Sequence, residues 1–429
     1  MTGNAVQHAT NRPGASRRGI AAWCLYDWAN SAYGTVIGTF VFAAYFTKAV
    51  APDEVTGTFL WGQATALSGL IVAVAGPVMG AIADQTGRRL PWVFTLSALC
   101  AVATALLWFM RPDPAFTYAT LALVLLATIG FELAIVFYNA MLPDLAPSGM
   151  IGRLSGWAWG LGYAGGIGCL VLSLALIQAE PPLFGLDPGS AEPVRATALL
   201  TAAWYVVFAL PLFLLTPDTP AAGIAAGAAV RQGLAALKAG LGRVLRDRNL
   251  LCFLIASSLY LNGLNTLFAF GGIYAAAEFG MSFAEIVTFG IALNVTAGLG
   301  AVGFAWIDDW IGPKRTMLMA LAALTGFGLM VLLVRDVAYF WVGALALGIF
   351  IGPAQAAGRT FLARAAPAQE RGELFGLYAL SGKATAFLGP LVLGWATLLS
   401  GSQRAGMATI LLFFVAGLIL MAQVREVRR

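Results

Sequence analysis

Apolar residues fill this chain in long blocks parted by short polar interruptions, a pattern of runs rather than of alternation. A helix that spans a bilayer needs about 20 mostly apolar residues. Twelve stretches approach that length: 20–46, 57–83, 90–110, 117–142, 152–178, 196–216, 250–275, 283–306, 315–334, 338–363, 373–399 and 405–423. The pattern predicts an all-α integral membrane protein with twelve transmembrane helices, called spans 1 to 12 here. Composition agrees: the chain is 60% hydrophobic and 10% charged, with mean hydropathy +0.82, against about 25% charged residues in soluble domains.

The polar interruptions repeat. Asp84, Gly87, Arg88 and Arg89 lie between spans 2 and 3, and Asp309, Gly312, Lys314 and Arg315 lie between spans 8 and 9. In each copy an Asp ends one helix, a Gly permits a tight turn, and a basic pair opens the next helix. A repeat spaced by about half the chain means two similar halves, the architecture of secondary transporters. The spacing predicts a tail at 1–19, a six-helix bundle at 20–216, a linker at 217–249, a second bundle at 250–423 and a tail at 424–429. These two loops are the expected conformational gate.

Charge sets the expected orientation. With both termini in the cytoplasm, nineteen of the 25 Lys and Arg residues fall on the inside, five fall outside, and Lys383 stands within span 11. That bias places both termini and the central loop in the cytoplasm. The net charge of +5 thus reflects topology and implies no nucleic-acid partner. Residues 1–19 lack the apolar core and cleavage site of a signal peptide, so span 1 reads as an uncleaved anchor. Cys24, Cys100, Cys169 and Cys252 sit in or beside spans without metal-type pairing and read as packing residues. The linker ends in a basic segment from Arg231 to Arg248, expected as an amphipathic helix lying passively on the cytoplasmic membrane surface.

Ionisable groups inside spans cost about 2.5–3.5 kcal/mol each on insertion scales and mark functional candidates. Spans 3, 6, 9 and 12 carry no interior charge, which fits outer helices facing lipid around a polar centre. Asp27, Asn30 and Ser31 share one face of span 1, and Asn262, Asn265 and Thr266 echo that spacing in span 7. In span 4, Glu132 and Asn139 are seven apart on one face, beside Tyr138. Gln355 and Arg359 share a face of span 10. Lys383 stands near mid-membrane, where it needs an anion or a carboxylate partner. Glycines crowd span 5 and span 11 and read as sliding surfaces between the halves.

With these residues in view, the chain resembles the major facilitator superfamily through its Asp84 to Arg89 loop and the degenerate second copy. It is similar more closely to the vacuole-effluxer-like branch, which includes the fungal autophagy-related vacuolar amino-acid effluxer and many bacterial members. That likeness rests on Tyr26 through Tyr33, on Tyr138, Asn139 and Pro143, and on Ser155-Gly156 through Gly162-Tyr163. It continues in Tyr260 to Thr266, Gln355 with Arg359, Phe375 to Tyr378, Lys383 and Gly389-Pro390. Two positions depart from it: members often carry Asp at Asn262, and usually Ser at Gly358.

The resemblance implies a single-chain transporter in the bacterial cytoplasmic (inner) membrane that moves a small-molecule substrate, an amino acid being favoured, without a cofactor or metal. A zwitterion wants an anionic site, Asp27 or Glu132, and a cationic one, Lys383 or Arg359. Proton coupling needs one of those carboxylates, because the only histidine, His8, lies in the tail. Efflux of amphiphilic or toxic compounds over Trp28, Tyr33 and Tyr138 is the alternative within transport. An integral-membrane enzyme lacks support, since no metal-ligand cluster, P-loop or Rossmann glycine motif is present. A non-transporting receptor is the third class.

Overall fold

The computed structural model describes residues 16–147, 149–220, 223–281 and 283–426. The tail bearing His8 and Arg12, and the terminal Arg428 and Arg429, lie outside the described residues. Among the described residues there is no strand. Eleven helices among those residues are long and apolar enough to cross a membrane, and the first span is the twelfth crossing.

Span 1 was expected as one helix and is broken instead. An α-helix over Arg17–Ala32 passes into π-helical turns at Tyr33–Phe40 and Phe46–Val50. The Tyr33–Phe40 stretch holds two Gly and two Thr, all weak α-helix formers. The hydroxyls of Thr35 and Thr39 also donate back to the carbonyls of Ser31 and Gly34, both at 2.9 Å, a local bond that bends helices. Spans 2 to 6 are Glu54–Thr86, Leu90–Leu106, Thr117–Leu145, Ile151–Gln178 and Glu192–Leu215. Spans 7 to 10 are Arg248–Phe279, Phe283–Ile311, Pro313–Leu333 and Val337–Ala365. Span 11 is interrupted between Arg371–Ala384 and Leu388–Ser400, and span 12 is Gln403–Gln423. The interruption falls where Pro390 removes the N–H that would have bonded the carbonyl of Ala386.

Spans 1–6 and 7–12 form two six-helix bundles that meet along span 2 against span 11 and span 5 against spans 8 and 10. Phe94 and Val102 of span 3, Val207 and Leu214 of span 6, Leu333 of span 9 and Leu412 of span 12 are exposed, as lipid-facing outer helices should be. The linker helix, Ala226–Arg246, does more than lie on a membrane. Gly233 abuts Ala81 and Ile82 of span 2, Gly240 abuts Glu373 of span 11, and Arg243 pairs with Glu370 at 2.6 Å. It therefore touches both bundles at the end that carries the charged loops. Val230, Leu234, Leu241 and Leu245 on the same helix remain exposed.

Candidate functional site

The two repeated loops act across the bundles in the same way. Asp84 accepts the backbone N–H groups of Gly372 and Glu373, both at 3.0 Å, at the start of span 11. Asp309 accepts those of Gly152 and Arg153, at 2.7 and 3.1 Å, at the start of span 5. Each carboxylate thus caps a helix of the other bundle, where free N–H groups and the helix dipole favour an anion. Gly87 and Gly312 turn with φ of 82° and 93°, a region that favours glycine.

Arginines complete both gates. Arg89 pairs with Asp144 at 2.7 Å and Asp84 at 3.3 Å, while Arg371 reaches Asp144 at 2.5 Å. On the other side Arg153 and Arg364 hold Asp309 at 2.8 and 3.1 Å. Arg88 and Arg315 are exposed and join neither gate. Lys314 instead turns to the end of span 12, donating from its ammonium to the Ala422 carbonyl at 3.0 Å, and its backbone N–H is capped by Glu426 at 3.2 Å.

Partners of the two Asp residues were missed in the sequence, although a signal was there. Gly152-Arg153-Leu154-Ser155-Gly156 and Gly372-Glu373-Leu374-Phe375-Gly376 are a second repeat. Its first glycine must lack a side chain. A Cβ on Gly152 would lie 2.8 Å from Asp309 Oδ1, and one on Gly372 would lie 2.7 Å from the Gly80 carbonyl. The repeat is asymmetric where Arg153 is matched by Glu373, and where Ala83 of the first loop is matched by Asp308 of the second. Asp308 is 3% exposed, and neither carboxyl oxygen has a hydrogen-bond partner.

The seam is closed at this charged end and parted at the other. Gly62, Gly69 and Gly76 share one face of span 2 at seven-residue spacing. Gly76 abuts Gly376, whereas a Cβ on Gly62 or Gly69 would meet nothing within 4 Å. Only part of the glycine-rich surface serves the seam. Gly156 and Gly160 press on Ala301, Ala305 and Val302 of span 8, but Gly162, Gly165 and Gly166 press on Asp27, Ser31, Trp28 and Thr35 within the same bundle. Gly389 likewise packs on Thr266 of its own bundle.

Above the closed gate, two ion pairs join the bundles. In the lower one Arg359 is 4% exposed and donates from Nη1 to Asp27 Oδ2 at 3.0 Å and Asn139 Oδ1 at 3.1 Å. Its Nε and Nη2 reach the Ser155 hydroxyl and carbonyl at 2.9 and 2.6 Å. The guanidinium also lies 5.3 Å from the Trp23 ring and 5.7 Å from that of Trp159, a cation–π arrangement. Asn30 donates to Asp27 at 3.3 Å. Gly358 fits because a side chain there would meet the hydroxyls of Tyr260 and Tyr378.

In the upper pair, Lys383 of span 11 donates to Glu132 of span 4 at 2.5 Å, with 35% and 22% of their side chains exposed. Glu132 and Asn139 lie on one face of span 4, so the pairs are stacked about 10 Å apart along the helix axis. A charged pair this exposed, shared between opposite bundles, is costly against lipid and suits the parted seam instead.

Other sequence candidates scatter. Gln355 accepts from the Tyr163 hydroxyl at 2.6 Å, and Ser31 lines a cavity of about 330 Å³ with Phe131, Trp159, Tyr163 and Phe268. Asn262 bonds Thr385 at 2.7 Å, Ser258 O at 3.1 Å and Gly389 N at 3.4 Å, so it holds the interruption in span 11. Asn265, its expected neighbour, is exposed. Trp28, Tyr33 and Tyr138 serve packing rather than a cavity wall: Trp28 stacks on Trp204, Tyr138 on Trp23, and the Tyr33 hydroxyl contacts Thr128 at 2.8 Å.

Solved structures carry this arrangement of helices. The major facilitator transporter FucP in its outward conformation matches with a TM-score of 0.76 and 15% identity, covering 96% of this chain and 100% of its own. The proton:xylose symporter XylE matches with a TM-score of 0.75 and 13% identity, covering 95% and 96%. The arrangement of helices is the major facilitator fold.

Within that class, the family described as Vacuole effluxer Atg22 like matches residues 60–429, and the chain belongs to it. An uncharacterized MFS-type transporter, YxiO of Bacillus subtilis (strain 168), is 26% identical over 94% of each chain. Autophagy-related protein 22 of Candida glabrata is 21% identical over 58% of this chain and 50% of its own.

Proposed function

We propose that the chain is a secondary active transporter that works by alternating access and moves a small zwitterionic metabolite, an amino acid in the first place. The observation that carries this reading is the partly exposed Glu132–Lys383 pair, 2.5 Å apart and contributed by opposite bundles. A zwitterion entering from the parted end exchanges with it: the substrate ammonium takes Glu132 and the substrate carboxylate takes Lys383. Because the two residues belong to different bundles, occupancy by substrate changes the energy of joining them, and binding becomes linked to movement. The enclosed Asp27–Arg359 pair forms the floor beneath that site.

Proton coupling falls to Glu132 in this scheme. Asp27 is held by Arg359 and Asn30, whereas Glu132 exchanges Lys383 for the substrate ammonium and stands without a cation between the two, when it can take a proton. The Lys and Arg bias puts the charged end at the cytoplasm and both termini inside, in a bacterial cytoplasmic membrane, with the single chain as the working unit. Family membership supports export of a solute, by analogy with the family's description as vacuole effluxers, and the opposed charges of Glu132 and Lys383 favour an amino acid as that solute. Packing of Trp28, Tyr33 and Tyr138 inside the first bundle weighs against an amphiphile-efflux cavity built on them.

Uptake into proteoliposomes of a labelled amino-acid panel, with and without an imposed pH gradient, tests the reading. At least one amino acid should exchange, and the gradient should drive its accumulation. Movement of amphiphilic dyes with no amino-acid exchange would overturn it.

A further inference from the structure

A second cavity opens beside the seam of spans 5 and 8, with a volume of about 1130 Å³. Span 1 from Arg17 to Cys24 and span 8 from Asn294 to Val302 form its walls, and span 5 from Trp157 to Ile167 forms its floor. That floor is about 15 Å long at 1.5 Å per residue, one leaflet of a hydrocarbon core about 30 Å thick. Its lining is apolar apart from the two ends. At the charged-end rim Arg17 is exposed and makes no ion pair among the described residues. At the inner end the groove shares Tyr163, Ile167 and Asn294 with the 330 Å³ cavity.

We propose that this groove is a binding site for an anionic phospholipid of the leaflet at the charged end, with the phosphate on Arg17 and one acyl chain along span 5. An unpaired cation at headgroup level above an apolar trough one leaflet deep matches that ligand. A zwitterionic solute gains nothing in such a trough, because its charges would go unpaired. The site also depends on conformation. Its floor exists because Gly156 and Gly160 press on Ala301, Ala305 and Val302. Parting spans 5 and 8 would dismantle it. A ligand that binds one state alone shifts the population toward that state, so the lipid favours the closed charged end. This inference rests on the seam and not on the substrate.

Native mass spectrometry of the detergent-purified full chain, titrated with palmitoyl-oleoyl phosphatidylglycerol or phosphatidylcholine, tests the site. The phosphatidylglycerol adduct should survive collisional activation that strips phosphatidylcholine. Arg17→Gln should lower its retention several-fold, to the phosphatidylcholine level, and Val295→Trp at the groove rim should weaken both. Spin-label distances across the charged end should be shorter in phosphatidylglycerol nanodiscs than in phosphatidylcholine ones, and Arg17→Gln should erase the difference. Equal retention of the two lipids, or full retention of phosphatidylglycerol by Arg17→Gln, identifies ordinary boundary lipid and overturns the proposal.

Discussion

Replacing Gly372 by Ala should unlatch one gate without touching any charge. The new Cβ would lie 2.7 Å from the Gly80 carbonyl oxygen, 3.0 Å from Asp84 Oδ1 and 3.2 Å from Asp84 Cγ. None of these is the free end of a flexible side chain, since Asp84 is held by two backbone N–H groups. The seam must therefore widen, and the Gly372 and Glu373 bonds lengthen with it. A hydrogen bond to a charged group contributes about 1.5–3 kcal/mol, and overpacking costs about 1–3 kcal/mol. Partial loss of each gives about 3 kcal/mol, which at about 1.4 kcal/mol per tenfold is roughly a hundredfold shift toward the open charged end. Pulsed electron–electron resonance between labels at the exposed positions Arg88 and Gln369 reads that shift as a longer distance component. Gly62→Ala, on the parted stretch of the same helix face, is the control and should leave the distribution unchanged. The reasoning fails if Gly372→Ala matches the parent, or if Gly62→Ala moves as far.

Three further outcomes follow from the gates and the lower ion pair. Asp84→Asn and Arg89→Ala should impair flux while calorimetric substrate affinity stays nearly unchanged; loss of binding with intact conformational exchange would contradict that. Asp308→Ala restores the chemistry of Ala83 in the first loop and removes a buried carboxyl whose oxygens make no well-formed hydrogen bond, so thermal unfolding should show a gain of about 1–3 kcal/mol, and a lower midpoint would refute it. Asp27→Asn takes from Arg359 its carboxylate partner in an enclosed pair, a change that costs about 3–5 kcal/mol. It should lower the melting midpoint more than Glu132→Gln, whose pair is partly exposed, and the reverse order would count against the enclosed floor.

Much of this was legible in the chain because lipid demands long apolar runs and makes every interior charge conspicuous. Lys383 announced the need for a carboxylate in that way, but its partner was not readable: Glu132 lies 251 residues away, and a contact between bundles leaves no local pattern. Asp84 and Asp309 stood out as a repeat, whereas what they bind was hidden because the donors are backbone N–H groups. The Gly-x-Leu-x-Gly repeat at 152–156 and 372–376 was the available clue. Breaks in spans 1 and 11 escaped a reading based on hydropathy, which measures apolarity and not helix geometry. Asn262 looked like a muted copy of Asp27, yet it serves the interruption at Thr385, a partner fixed by tertiary packing. Aromatics named for a cavity went instead to helix contacts, since a large ring gains as much from close packing as from a ligand.

The central claim is that substrate exchanges with the Glu132–Lys383 pair, and the matched double variant tests it most directly. Lys383→Ala alone strands Glu132, and Glu132→Gln alone strands Lys383, so either single change confounds stability with binding. Glu132→Gln with Lys383→Ala removes both charges together. Binding of the best amino acid from the uptake panel would be measured on this variant by calorimetry, beside its thermal midpoint. The account predicts a midpoint close to the parent's and a large loss of affinity for carboxylate-bearing substrates. A double variant that binds and transports like the parent would show the pair to be a fixed strut between helices, and would remove Lys383 and Glu132 from the site.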